Sequence, residues 1–169
     1  PAASGPAIAD AFRRALPKTP DGVLRIRGDD PGRADDPWIE LRLHLVALAR
    51  LKNAEAFAHA VLRSDGTPAV DWWACVWAAG RIGDARLAPI LLAGAHAEDP
   101  FVRSLAANGL GGLKDPKHRN TVRRLAEDRD PRVVLQALRA VASIGSAEGS
   151  IAAALQLDSS NLVLRREAL

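Results

Sequence analysis

Apolar residues recur along most of this chain at the spacing of helices that each bury one face. Val102, Leu105, Ala106, Gly109, Leu110 and Leu113 follow one another at intervals of three, one, three, one and three. That rhythm puts all six on one stripe of an α-helix. Val133, Gln136, Ala137, Ala140, Val141 and Ile144 repeat it one period later. Four short segments punctuate the pattern every 31 residues: Leu51-Lys52-Asn53, Ile82-Gly83-Asp84, Leu113-Lys114-Asp115 and Ile144-Gly145-Ser146. Each predicts the reversal inside a helix–turn–helix pair. Gly83 and Gly145 suit the left-handed conformation that ends a helix, and Asp84, Asp115 and Ser146 suit the cap that starts the next. A second series, Asp36-Pro37, Thr67-Pro68, Asp99-Pro100 and Asp130-Pro131, runs at intervals of 31, 32 and 31. It predicts the start of each first helix. The Asp or Thr oxygen accepts from an otherwise unpaired amide, and proline fits the following position because it has no N–H to leave unpaired.

Together the two series predict an all-α chain, a right-handed superhelix of helix pairs over residues 36–66, 67–98, 99–129 and 130–160, with a partial pair at 161–169. The second helices are expected at 54–63, 86–95, 119–127 and 148–157. Small residues fall in columns, Cys75, Ala106, Ala137 and Ala168 in one and Ala78, Gly109 and Ala140 in another. Such columns mark close approach of neighbouring helices. Residues 1–35 form a degenerate cap: an amphipathic helix over 6–16, then a long loop over 17–35 in which 23–27 lies extended.

Asp99-Pro100-Phe101-Val102-Arg103 with Ala106, Leu110 and Asp115 behind it, and Gly83-Asp84-Ala85-Arg86-Leu87-Ala88-Pro89-Ile90-Leu91, carry a family likeness. This pattern resembles the short HEAT-like repeats first described in phycobiliprotein (bilin) lyases, over roughly residues 36–169. The resemblance implies a stack of helix pairs with a buried arginine ladder. Two positions depart from it: Val134 stands where Arg103 has its arginine, and Asp71 occupies an apolar slot. Ankyrin and tetratricopeptide repeats fit less well. Thr67-Pro68-Ala69-Val70 is a single partial echo of the first, and the chain has no tyrosine for the second.

Composition adds constraints. The chain has 169 residues, is 48% hydrophobic and only 4% aromatic, and much of its apolar content is alanine; tightly approaching helices suit such a core. The net charge of +3, with acidic residues interleaved throughout, does not by itself call for nucleic acid. One cysteine, Cys75, excludes an internal disulfide and a cysteine metal site. No apolar run reaches the ~20 residues that cross a bilayer. The absence of methionine, and a final segment that stops inside a helical pattern, lead us to expect a piece of a longer protein. Richness in Ala, Arg and Asp suggests a bacterial genome of high GC content.

Candidate chemistry is sparse. His44, His59, His96 and His118 fall in different repeats with no metal-ligand spacing. His44 and Cys75 share the small-residue column and read as packing residues. Gly109-Leu110-Gly111-Gly112 sits at a helix end rather than after a strand, so it is not a phosphate loop. Asp29, Asp30, Asp35 and Asp36 read as a solvated acidic turn rather than a calcium site. No catalytic residue, cofactor or metal is assigned. Trp73 and Trp77, four apart on one helix face, are candidate partner anchors unless the 17–35 loop or the first helix covers them. Arg119, Arg123 and Arg124 are the other candidates, on a helix expected to line the concave side; Glu127, Asp128 and Asp130 are expected to neutralise that face. The leading expectation is a non-catalytic scaffold whose partner is another protein or another part of a larger assembly. The family resemblance also implies two alternatives, a chromophore-handling enzyme subunit of the bilin-lyase kind and a nucleic-acid-binding HEAT-like protein.

Overall fold

A computed structural model describes residues 4–29, 33 and 35–145. Two compact units divide the chain, Pro1–Ile90 and Leu91–Leu169. The expected helix over 148–157, the partial pair at 161–169, Ser146 and Ala168 lie outside the described residues.

In the first unit, α1 (Ser4–Ala15) packs on α2 (Ile39–Leu51) and α3 (Ala54–Val61), and α2 and α3 both pack on α4 (Trp73–Ile82). Phe12, Leu45, Leu48, Phe57, Val61 and Trp72 fill the space between them and are fully buried. The reversal from α2 to α3 is made by Lys52, which takes the left-handed conformation at φ 49°. Asn53 then accepts from Ala56 N at 3.0 Å and starts α3. Gly83, at φ 71°, ends α4, and Asp84 accepts from Arg86 N to start the 3-10 turn Ala85–Leu87 that leads into α5 (Ala88–Gly94).

The expected helix start at Thr67-Pro68 is corrected. After α3 the chain doubles back on itself, with Arg63 N donating to Thr67 O and Ala69 N donating to Val61 O, each at 2.8 Å. The Thr67 hydroxyl donates to Asp65 and accepts from Arg63 Nε, so it caps no helix. The chain continues extended as β2 (Val70–Asp71), paired in parallel with β1 (Leu24–Arg25), and α4 begins at Trp73. The 17–29 segment of the long loop is thereby stitched to the start of α4. Asp36 also differs in part: it accepts from Trp38 N at 3.0 Å, yet α2 starts only at Ile39, after a turn.

The second unit follows the sequence pattern more closely. Its helices are α6 (Pro100–Leu113), α7 (Arg119–Ala126) and α8 (Pro131–Ile144). Asp99 and Asp130 cap α6 and α8 by accepting from the amide two residues on, with Pro100 and Pro131 in the first turn. Lys114 (φ 52°) and Gly145 (φ 73°) end α6 and α8 in the left-handed conformation. Left-handed helix ends therefore fall at 52, 83, 114 and 145, one repeat apart each time, and two of the four are lysines. A β-carbon at Lys52 and Lys114 is strained against the backbone, so those two turns are held by the packing around them rather than by local preference.

Helices α6 and α8 approach most closely at Gly111. A β-carbon on that residue would lie 2.6 Å from both Cα and Cβ of Ala140, and Ser143 Oγ donates to Gly111 O at 3.0 Å. Gly112, one residue on, faces open space. The two glycines predict opposite responses. Gly111→Ala should cost about 1–3 kcal/mol by forcing the helices apart. Gly112→Ala should gain about 0.5–1 kcal/mol by removing helix-interior glycine. Urea unfolding of the two variants measures both signs; a stabilised Gly111→Ala would contradict the packing described.

Candidate interaction surfaces

The tryptophan region of the first unit is built around a buried carboxylate from the loop. Asp29 accepts from Trp72 Nε1 at 3.0 Å and from Trp73 Nε1 at 2.8 Å. It also accepts from Arg42 Nη1 at 3.2 Å. The Asp29 side chain is only 4% exposed and that of Arg42 12%. Arg42 reaches on to Asp36, 2.7 Å away. The Trp38 amide, and after it the Arg42 guanidinium, hold the Asp36 carboxyl below the usual carboxylate range. Trp72 and Trp73 meet edge to face, ring centres 6.1 Å apart. Asp71, from the same stretch, takes a 2.6 Å hydrogen bond from Arg27 Nη2.

This arrangement revises the acidic turn. Asp29 and Asp36 are buried and ion-paired rather than solvated; Asp35 is exposed and paired with Arg33 at 2.7 Å; Asp30 lies outside the described residues. Trp73 is half-buried with its indole N–H held by the loop, and Trp77 is half-buried as well. Sequence reasoning singled out Trp73 and Trp77, read Asp29 as solvated, and missed Trp72 and Arg42. Trp72 had a usable signal, because it stands one period before the buried Arg103 and after the buried Leu41. Asp29 had none: it lies 43 residues before Trp72, outside any repeat.

In the second unit α7 turns His118, Val122, Leu125 and Ala126 inward and all four are buried. Arg119, half-buried, flanks that inward face, and Arg123 and Arg124 are exposed. Arg124 Nη1 lies 3.0 Å from His96 Nδ1, and Nη2 donates to Ala95 O at 3.3 Å. Of the nearby acids, Asp128 and Asp130 are turned to other arginines. Asp128 accepts from Arg103 Nε and Nη2 at 2.7 and 2.9 Å, in a pair almost closed to solvent, and Arg103 Nη1 donates to the carbonyls of Ala97 and Glu98. Asp130 is engaged by Arg132 at 2.8 Å, which brings its carboxyl to about 2. The bidentate Arg103–Asp128 pair is the buried arginine that the family resemblance implies; Val134, its counterpart one period on, is buried without one.

Of the remaining groups, Cys75 is fully buried and its thiol is pushed well up by burial, which leaves it unreactive. His44 is half-buried and its Nδ1 sits 2.7 Å from Glu40 O. Among the described residues no group of three or more His, Cys, Asp or Glu is arranged to hold a metal ion, and no helix is long and apolar enough to cross a membrane.

Two predictions follow from these sites. All four tryptophans lie in the first unit, so their emission reports on it alone. Asp29→Ala takes the acceptor from two indole N–H groups and leaves Arg42 with Asp36 alone, and should cost that unit about 2–3 kcal/mol. Asp29→Asn, which keeps an acceptor oxygen, should lose less. Fluorescence-monitored unfolding that left both variants at wild-type stability would refute the buried clasp. His118 supplies a pH dependence, because burial depresses its pKa below the ordinary value of 6.5. The unfolded chain then takes up the proton more readily than the folded one, so stability is full above 6.5 and falls as pH drops below it. His118→Leu, which copies the buried Leu87 of the preceding repeat, should flatten that slope when melting is followed from neutral to mildly acidic pH.

Comparison with known proteins covers part of the chain. No curated protein matches it. The family model described as HEAT repeats matches residues 88–169, so this portion, which includes α6, α7 and α8, is similar to HEAT repeats.

Proposed function

We propose that the chain is a non-catalytic scaffold that binds other proteins, built as a right-handed superhelix of short HEAT-like helix pairs of the bilin-lyase type. In this reading it is the repeat region of a larger bacterial protein. The observation that carries the reading is the regular return of left-handed helix ends at 52, 83, 114 and 145, joined by the match of residues 88–169 to HEAT repeats. A repeat of this kind commonly mediates protein interaction, because each pair buries its inner faces against its neighbours and leaves its outer face free to vary. The outer faces here do vary. Leu43 on α2 is 62% exposed, whereas α7 presents arginines. The fold alone does not choose a partner.

The test is site-specific photo-cross-linking in an extract of the source organism. A benzophenone side chain is placed in turn at the exposed positions Leu43, Asn120 and Arg123. The expected result is a discrete adduct with a different protein from at least one position. Adducts confined to nucleic acid, or none beyond the chain itself, would overturn the reading.

A further inference from the structure

We propose that the outward face of α7 receives a carboxylate-rich segment of a partner protein, held by Arg119, Arg123 and Arg124. The proposal deepens the scaffold reading and rests on it, since it gives the chemistry of what is bound.

The first support is that the fold does not require these arginines. The inward residues His118, Val122, Leu125 and Ala126 do the packing. One period back the same positions hold Ala88, Leu92 and Ala93, and two periods back Phe57, Val61 and Leu62, none of them charged. An arginine trio is peculiar to α7 among the described second helices.

The second support is that, among the described residues, no ion pair engages the trio. Among the described residues the unit's aspartates are committed elsewhere: Asp99 to the cap of α6, Asp115 to Lys117, Asp128 to Arg103 and Asp130 to Arg132. Among the described residues Arg119, Arg123, Arg124 and Arg129 face no carboxylate within ion-pair distance, and only Glu98 and Glu127 of this unit are outside any ion pair or cap. Guanidinium groups on one short helix without an ion-pair partner gain from an incoming anion. Arg119 Nε is moreover enclosed with no acceptor among the described residues. Its half-buried stem and the Arg124 contacts with His96 and Ala95 hold two of the three groups in place before binding, which lowers the ordering cost.

The chemistry favours protein carboxylates over nucleic acid. Guanidinium groups pair with carboxylates through two parallel hydrogen bonds, and Arg119 and Arg123 stand one helical turn apart, about 6 Å, the interval between acidic side chains on successive turns of a helix. Bases would require aromatic side chains to stack on, and α7 carries none; every tryptophan belongs to the first unit and tyrosine is absent.

The experiment measures fluorescence anisotropy of three labelled probes with the full chain at low and at moderate salt: a short oligoglutamate peptide, an oligoglutamine peptide of the same length, and oligodeoxythymidylate. The expected outcome is a clear preference for oligoglutamate that weakens with salt. Arg123→Glu/Arg124→Glu should reduce oligoglutamate affinity by at least about tenfold. The milder Arg123→Gln, whose fold is checked by its melting curve, should reduce it by about threefold or more. Arg50→Glu/Arg81→Glu, exposed positions of the first unit, should leave it unchanged. Equal binding of the two peptides, an equal loss in the first-unit variant, or tighter binding of the oligonucleotide would each overturn the proposal. The scaffold reading would survive the first two results, because its cross-linking test probes other faces too.

Discussion

The rest of the structure hangs on how the chain reverses at the end of a helix. An α-helix stops with several carbonyls unpaired, and a residue in the left-handed conformation turns the next amide back onto them. Here that device is placed at the same interval four times, at 52, 83, 114 and 145. Glycine meets the conformational demand at 83 and 145; lysine meets it at 52 and 114 against the preference of its own backbone. Local chemistry therefore does not dictate the reversal at every site. At 52 and 114 the burial of the neighbouring helices does.

Much of this was legible from residue order alone. The second unit obeys simple rules: an aspartate–proline start, an apolar stripe, a reversal, a short second helix and the next aspartate–proline. Each step spans a few residues, and periodicity reports such steps well. Close contact was partly legible too, since the small-residue column passes through Ala140. The contact at Gly111 was not marked by that column, although Gly109, which it did mark, is buried as well.

The first unit was harder to read for the opposite reason. Its distinctive features join residues far apart with no period between them. Thr67-Pro68 has the composition of a helix start, yet the backbone around it folds back on α3 and offers Val70–Asp71 to the loop strand instead. Asp29 looked like one of several solvated acids because its partners, Arg42, Trp72 and Trp73, arrive only when α2 and α4 have packed. On α7 the misjudgement was of allocation. Sequence proximity assigned Asp128 and Asp130 to the arginines of α7, but geometry gives them to Arg103 and Arg132.

The Asp29 clasp also bears on how such a protein fails. Arrays of like modules are coupled to nearest neighbours, so they open most readily from a terminus, one module at a time. In the first unit a carboxylate from the loop after α1 grips α2 and the start of α4 together, and β1 lies alongside β2. Loosening any one of these elements exposes a charge or an indole N–H that the others were sheltering. The amino-terminal region is thereby bound into one cooperative block, and partial opening gives way there to all-or-none loss.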